Sequence, residues 1–457
     1  MPLVAGVDSS TQSVKVVIRD ADSGELVAQS SAPHPDGTEV DPVAWQQALD
    51  QALTQVSDKK IDAISIAGQQ HGMVTLDRAG AVIRDALLWN DTRSAKEAEI
   101  LNSEVPDIHL RTGSKLVASF TASKVRWLFE NEKSNGDKLA AIALPHDWLS
   151  WRLSGSTDIK EIFTDRSDAS GTGYFNPVTN QYDLEILKLA TCGKSDVSLP
   201  KIIAPNEFGG ETKSGIPIAA GAGDNAGAAL GLGARVGDLI ISLGTSGTAF
   251  AVSKTPTRDP FGEIAGFADA TGNFLPLACT LNAAKIFASV AKLLNVDLDQ
   301  FAALALMAES GAQGLRLLPH FDGERTPNRP DIRGNYSGIT HENLTPENLA
   351  RAAIEGVIAG MVFAANALKR EGFTPERILL VGGAAKSAAV QEIAASMFQS
   401  EIQLPTPGEY VADGAARQAA WALTGKADWK LRITKNIEPE VDAGEVTASY
   451  LELIAKL

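Results

Sequence analysis

Residues 3–18 read LVAGVDSSTQSVKVVI, and residues 239–252 read LIISLGTSGTAFAV. Each is an apolar run, a tip stripped of large side chains and a second, returning strand-like run. In the first, Leu3–Val7 and Val14–Ile18 are strand-like while Asp8–Ser13 is small and polar. In the second, Leu239–Leu243 and Thr248–Val252 flank the turn Gly244–Gly247. Steric need alone puts Gly and Ser at hairpin tips, so either hairpin by itself decides little. One at the head of each half predicts an α/β fold that is internally duplicated, with both tips facing one cleft.

The first hairpin continues through the turn Ala21–Glu25 to a third strand at Leu26–Ser30. Asp41 then offers an N-cap, with Pro42 at the first helical position. Trp45, Leu49, Ala52, Leu53 and Val56 share one face of the helix that follows. Ile61–Ala67 reads as a buried strand. The antiparallel opening separates this order from a purely parallel, doubly wound sheet. In the second half, helices are predicted over Ala283–Leu294, Glu347–Glu371, Ser387–Phe398 and Ala412–Leu423, with a strand at Ile378–Val381. The halves divide within Gly231–Gly237, which gives domains of residues 1–233 and 234–457.

A chain of 457 residues exceeds one ordinary core, in keeping with two domains around a cleft. Its net charge of −15 argues against a nucleic-acid partner, because phosphate-backbone binding needs concentrated positive charge. It leaves a nucleotide ligand open, since backbone N–H groups and a divalent cation can hold one in an acidic protein. The longest apolar runs are strand-sized, so no membrane partner is expected. No charged leader with a long apolar stretch opens the sequence, and Cys192 and Cys279 are too far apart in the chain for a metal knuckle. The expected setting is cytoplasmic. The sequence does not reveal an assembly state, and a homodimer is kept only as the commonest homo-oligomer.

Several stretches concentrate reactive groups. In GVDSSTQS (Gly6–Ser13), Asp8 ends a strand, where a carboxylate can hold Mg²⁺ or simply satisfy turn amides. In GAGDNAG (Gly221–Gly227), Asp224 stands among residues with almost no bulk, and Asn225 beside it can orient a hydroxyl. That stretch also fits the G-x-G-x-x-A dinucleotide pattern. The oxidoreductase reading fails on two counts: an acid falls where pyrophosphate would sit, and no strand ending in Asp or Glu follows about 20 residues on. In SIAGQQHGM (Ser65–Met73), Gln69, Gln70 and His71 follow a strand end, and amide and imidazole groups suit a polyhydroxylated ligand. Trp89 in LLWNDTRS (Leu87–Ser94) offers an apolar face to a sugar, although a surface turn with an Asp–Arg pair is nearly as good a reading. SDASGT (Ser167–Thr172) reads as a loop near the same site, and the Glu324-Arg325 pair as structural. VGGAAKS (Val381–Ser387) lets a flat ring lie on backbone, or is an ordinary strand–helix connection. No P-loop pattern occurs, so an ATP site must be of another kind.

Taken in order, GVDSST, AGQQHG, WNDTR, SDASGT, GAGDNA, SLGTSG, GERTP, VGGAAKS and YVADGAARQAAWAL resemble the FGGY family of carbohydrate kinases over nearly the whole chain. The resemblance implies an actin-like, ribonuclease-H-like duplicated fold and ATP-dependent phosphorylation of a sugar's terminal hydroxyl. Asp224 matches the catalytic base and Asp8 the Mg²⁺-associated acid; Gln70, His71 and Asn225 match sugar ligands, with Trp89 alongside. Ser10, Thr11, Gly244 and Thr245 match phosphate-binding tips, and Gly382, Gly383 and Ser387 the nucleotide-side turn. The AGQ-x-HG form is that of the family's xylulose kinases, whereas its glycerol kinases carry Arg and Glu there. Departures are Ser9-Ser10 where Leu-Gly is common, Gln70 for a frequent Met, and Ala384 for a third Gly. None of them removes a reacting group. The rival is an actin-like relative that binds sugar or ATP without transferring phosphate.

Overall fold

The computed structural model describes residues 1–426 and 428–456. The first hairpin runs Leu3–Ser9 to Ser13–Asp20, and Leu26–Pro33 adds a third antiparallel strand. Helix Pro42–Gln55 follows, capped by the Asp41 carboxylate on the Val43 N–H at 2.9 Å. A cap of this kind is worth about 1 kcal/mol. The face carrying Trp45, Leu49 and Ala52 is buried, with Trp45 edge-on to Trp148. Strand Ala63–Gly68 then pairs in parallel with Leu3–Ser9, and Pro217–Ala219 lies beyond it.

The second half repeats this order. Asp238–Leu243 pairs antiparallel with Gly247–Ala251, which pairs with Phe274–Thr280. Helix Pro346–Arg370 leads to Arg377–Val381, parallel to Asp238–Leu243, and Ile402–Pro405 lies beyond. The five strands named in each half lie in the same spatial order, 3-2-1-4-5, while Ala265–Ala268 adds an outer strand beside Phe274–Thr280 in the second sheet only. The duplication inferred from two hairpin tips is therefore a duplication of five-stranded sheet cores. Element ends differ from the sequence reading by a few residues at most; helix Tyr410–Thr424, for example, starts two residues before Ala412. Helix Pro346–Arg370 is long and apolar enough to cross a membrane by length and composition, but it is the buried centre of the second core.

The two halves exchange helices. Helix Asp224–Gly231 ends the first half, yet Ala229 packs with Leu232 against Ile240, Phe250, Leu379 and Val381 of the second sheet. Helix Tyr410–Thr424 from the second half lays Ala412, Ala416, Ala419 and Ala420 on Val4, Val17, Ala63 and Ala219 of the first sheet. The connector 232–237 is where the chain passes between halves, but a cut there does not separate them in space. Where these helices cross, side chains vanish. A Cβ on Gly414 would lie 1.9 Å from the Gly227 carbonyl oxygen, and one on Gly231 would lie 2.0 Å from that of Tyr410. Strand Leu3–Ser9 is approached as closely, since a Cβ on Gly6 would stand 2.0 Å from the Ala412 carbonyl oxygen. Only glycine fits these points.

Candidate active site

Between the sheets lies a cavity of about 1090 Å³. Asp8 and Ser10 reach it from the first hairpin, Asp224 and Asn225 from the exchanged helix, and Gly382 and Gly383 from the turn after Arg377–Val381. The parallel strands explain this convergence. Asp8 lies near the C-terminal end of one central strand, and the chain of Ala222–Gly223 runs beside Gly68, so the helix starting at Asp224 opens on the same edge.

Asp224 is the first residue of its helix. Its Oδ1 accepts from the Asn225 N–H at 2.7 Å and the Asn225 amide at 2.8 Å. Oδ2 takes no hydrogen bond among the described residues and remains as the free acceptor. Burial raises the Asp224 pKa to about 7, against the Asn225 hydrogen bonds, and the charge of Asp8 adds to the rise. Asp8 itself is pushed up to about 6 by burial, which outweighs its 2.5 Å bond from the Ser10 hydroxyl and the charge of Lys15. Lys15 stands opposite Asp8 in the hairpin register and faces the cavity. It is paired with Glu409 at 2.5 Å.

Gln70 and His71 are buried behind the cavity rather than in its lining. The Gln70 side chain lies against Gly223, where a Cβ would come within 2.7 Å of it, and its amide donates to the Ser167 carbonyl at 3.2 Å. His71 Nδ1 is 2.6 Å from the Gly171 carbonyl, an acceptor only, so Nδ1 carries the proton and Nε2 is left as acceptor. Burial, with the charges of Lys124 and Arg325, holds its pKa down to about 3, against the Gly171 bond, and the ring is neutral. Phe267 of the second half stacks obliquely on it at 5.5 Å. Ser167–Thr172, expected as a loop, is helical, with the short helix Arg166–Ala169 running into a tighter turn at Ser170–Thr172; the Ser167 hydroxyl accepts from the Gly223 N–H at 3.1 Å, one residue before Asp224.

Other expected residues lie further out. Thr11 Oγ1 accepts from the Trp89 indole N–H at 2.9 Å, so Trp89 braces the first tip; neither lines the cavity. Gly244, Thr245 and Ser387 also lie outside the lining, with Thr245 exposed. At the turn after Arg377–Val381, Ala385 and Lys386 line the cavity where Ser387 was expected. Glu324 is structural as read, accepting from the Leu281 N–H and the Asn282 amide. Sequence reasoning missed Glu409 and Asp413, which line the cavity from the exchanged helix and its cap. It also missed a buried group under the site. His146 Nδ1 bonds Asp168 Oδ2 at 2.7 Å, with Asp147 and Asp165 beside it, and the imidazole presses on Gly221. The three carboxylates raise its pKa against burial, to about 10, and the imidazolium offsets part of their charge.

Asp8 fits a divalent cation. It is an oxygen donor in a cavity shared with the Asp224, Glu409 and Asp413 carboxylates, and the nearby Lys15 is already engaged by Glu409.

The chain belongs to the FGGY family of carbohydrate kinases, matching the family's N-terminal domain over residues 3–231 and its C-terminal domain over residues 239–423. It is 43% identical over 443 residues to a xylulose kinase from Streptomyces coelicolor, covering 93% of this chain and 89% of that one. The crystal structure of xylulose kinase from Bifidobacterium adolescentis is 42% identical with a TM-score of 0.92, covering 99% of both chains. A gluconate kinase structure from Lactobacillus acidophilus is 25% identical with a TM-score of 0.90, covering 100% of this chain and 96% of that one.

Proposed function

We propose that this protein transfers the γ-phosphoryl group of ATP to O5 of D-xylulose, giving D-xylulose 5-phosphate and ADP, with Asp224 as the general base. The observation that carries the reading is the free Oδ2 of Asp224, a poised carboxylate on the wall of the cavity between the two sheets. The Asp224 carboxylate takes the O5 proton as the O5–P bond forms, and the bond between γ-phosphorus and the β–γ bridging oxygen breaks to release ADP. A base with a pKa near 7 is half deprotonated at neutral pH, close to the optimum for accepting a proton and passing it on. Gly221 and Gly223 let the His146 imidazole and the Gln70 side chain pack directly behind the base, and Asn225 fixes the carboxylate plane. His71, neutral with Nε2 as acceptor, takes a hydrogen bond from a sugar hydroxyl, and Gln70 supports the same side.

ATP occupies the cavity with its phosphates toward Ser10 and its base toward Gly382, Gly383 and Lys386, while Thr11 and the Gly244-Thr245 tip stand outside the lining, where domain closure would bring them to the phosphates. Mg²⁺ held at Asp8, directly or through water, supplies neutralisation of phosphate charge when bound. Domain closure over the exchanged helices excludes water, the competing acceptor. Identity to the xylulose kinases at 42–43% supports the choice of sugar. The test is ADP release across D-xylulose, ribulose, pentitols, gluconate and glycerol. The reading requires the highest kcat/KM with D-xylulose; a higher value with gluconate or glycerol refutes the substrate while leaving the chemistry intact.

A further inference from the structure

His71 has a left-handed backbone, with φ of 68°, although it is neither Gly nor Asn. Such a conformation is strained and persists only where its surroundings enforce it. The enforcing groups come from the helix Thr121–Asn131. Thr121 Oγ1 donates to the His71 carbonyl at 3.1 Å, and the Lys124 ammonium donates to the same carbonyl at 3.2 Å. Lys124 also donates to the Ser119 carbonyl. Its side chain is wholly buried, and it forms no ion pair among the described residues. A buried lysine spent on two carbonyls is an expensive way to brace a core, because a desolvated ammonium without a carboxylate partner is unfavourable. Burial pushes its pKa down to about 7, against the charge of Asp91 and helped by that of Arg325. The position it braces carries the imidazole assigned above to the sugar side of the site.

We propose that Lys124 is a positioning residue of the acceptor site: with Thr121 it grips the His71 carbonyl, fixes the left-handed turn and so aims Nε2 at the sugar. The inference rests on His71 being a sugar ligand, and its test separates the two ideas. Lys124→Met keeps the chain length and removes the donor. KM for D-xylulose should rise on the order of 10-fold or more, while KM for ATP stays within twofold. In a double-mutant cycle, Lys124→Met added to His71→Ala should cost little beyond His71→Ala alone, because the aim no longer matters once the imidazole is gone. Should Lys124→Met fail to fold, Thr121→Val and Thr121→Ser carry the test. The hydroxyl-free variant should raise sugar KM several-fold, and Thr121→Ser should restore it. If His71→Ala leaves sugar KM unchanged, the sugar-ligand reading falls. If His71→Ala raises it but the Lys124 and Thr121 variants do not, or if their effects add to that of His71→Ala, the positioning role is refuted.

Discussion

Gly414→Ala sets two effects of opposite sign against each other. The residue is inside helix Tyr410–Thr424, where replacing Gly by Ala should add about 1 kcal/mol of helix stability on propensity alone. The added Cβ, however, would sit 1.9 Å from the Gly227 carbonyl oxygen and 2.7 Å from its carbon, against 3.4 Å or more for ordinary contact. Both atoms are backbone, so no side chain can swing aside. The helices must part by more than 1 Å, and overpacking of this kind costs about 1–3 kcal/mol, with the upper end expected here. The net loss is roughly 2 kcal/mol, or a fall of about 4–8 °C in thermal midpoint. Function should suffer more, because Asp224 is the first residue of the displaced helix. A shift near 1 Å at the base costs on the order of 100-fold in kcat. Calorimetry and steady-state ADP release measure the two effects. A midpoint raised by a few degrees with kcat unchanged would show that propensity wins and that the crossing is loose.

The pH profile follows from the raised carboxyls. With the Asp224 pKa at about 7 and the ionised form required, kcat/KM for the sugar should fall tenfold per unit below that value and level off above it. A profile flat from pH 5 to pH 8 would contradict this. Asp8→Asn removes a charge that raises Asp224, so its acid limb should move to lower pH. The same variant should need a Mg²⁺ concentration at least tenfold higher for half-maximal rate, read by titrating the metal at fixed ATP. An unchanged Mg²⁺ requirement would take Asp8 out of the metal site.

The fold was legible because its repeat lies in local chemistry. The tips Asp8–Ser13 and Gly244–Gly247 must be small for steric reasons, and small tips between apolar strands are visible without neighbours. Asp224 was legible for a similar reason, since a lone acid among glycines stands out. The exchange of helices was not. Ala412, Ala416, Ala419 and Ala420 mark an Ala-rich face, but nothing local says that it covers the sheet of the other half. Glu409 and Asp413 reach Lys15 and Arg19 of the first hairpin only through that exchange. Nothing local marks Lys124, whose burial is a product of tertiary packing. The His146 group is likewise assembled from separate segments, His146-Asp147 and Asp165–Asp168.

The central claim is that one carboxylate takes the proton of the sugar hydroxyl, and Asp224→Ala tests it most directly. ADP release with D-xylulose and ATP, measured beside calorimetric binding of ATP, should show kcat reduced on the order of 10²–10⁴-fold with nucleotide affinity retained. Turnover at the wild-type rate would contradict the account.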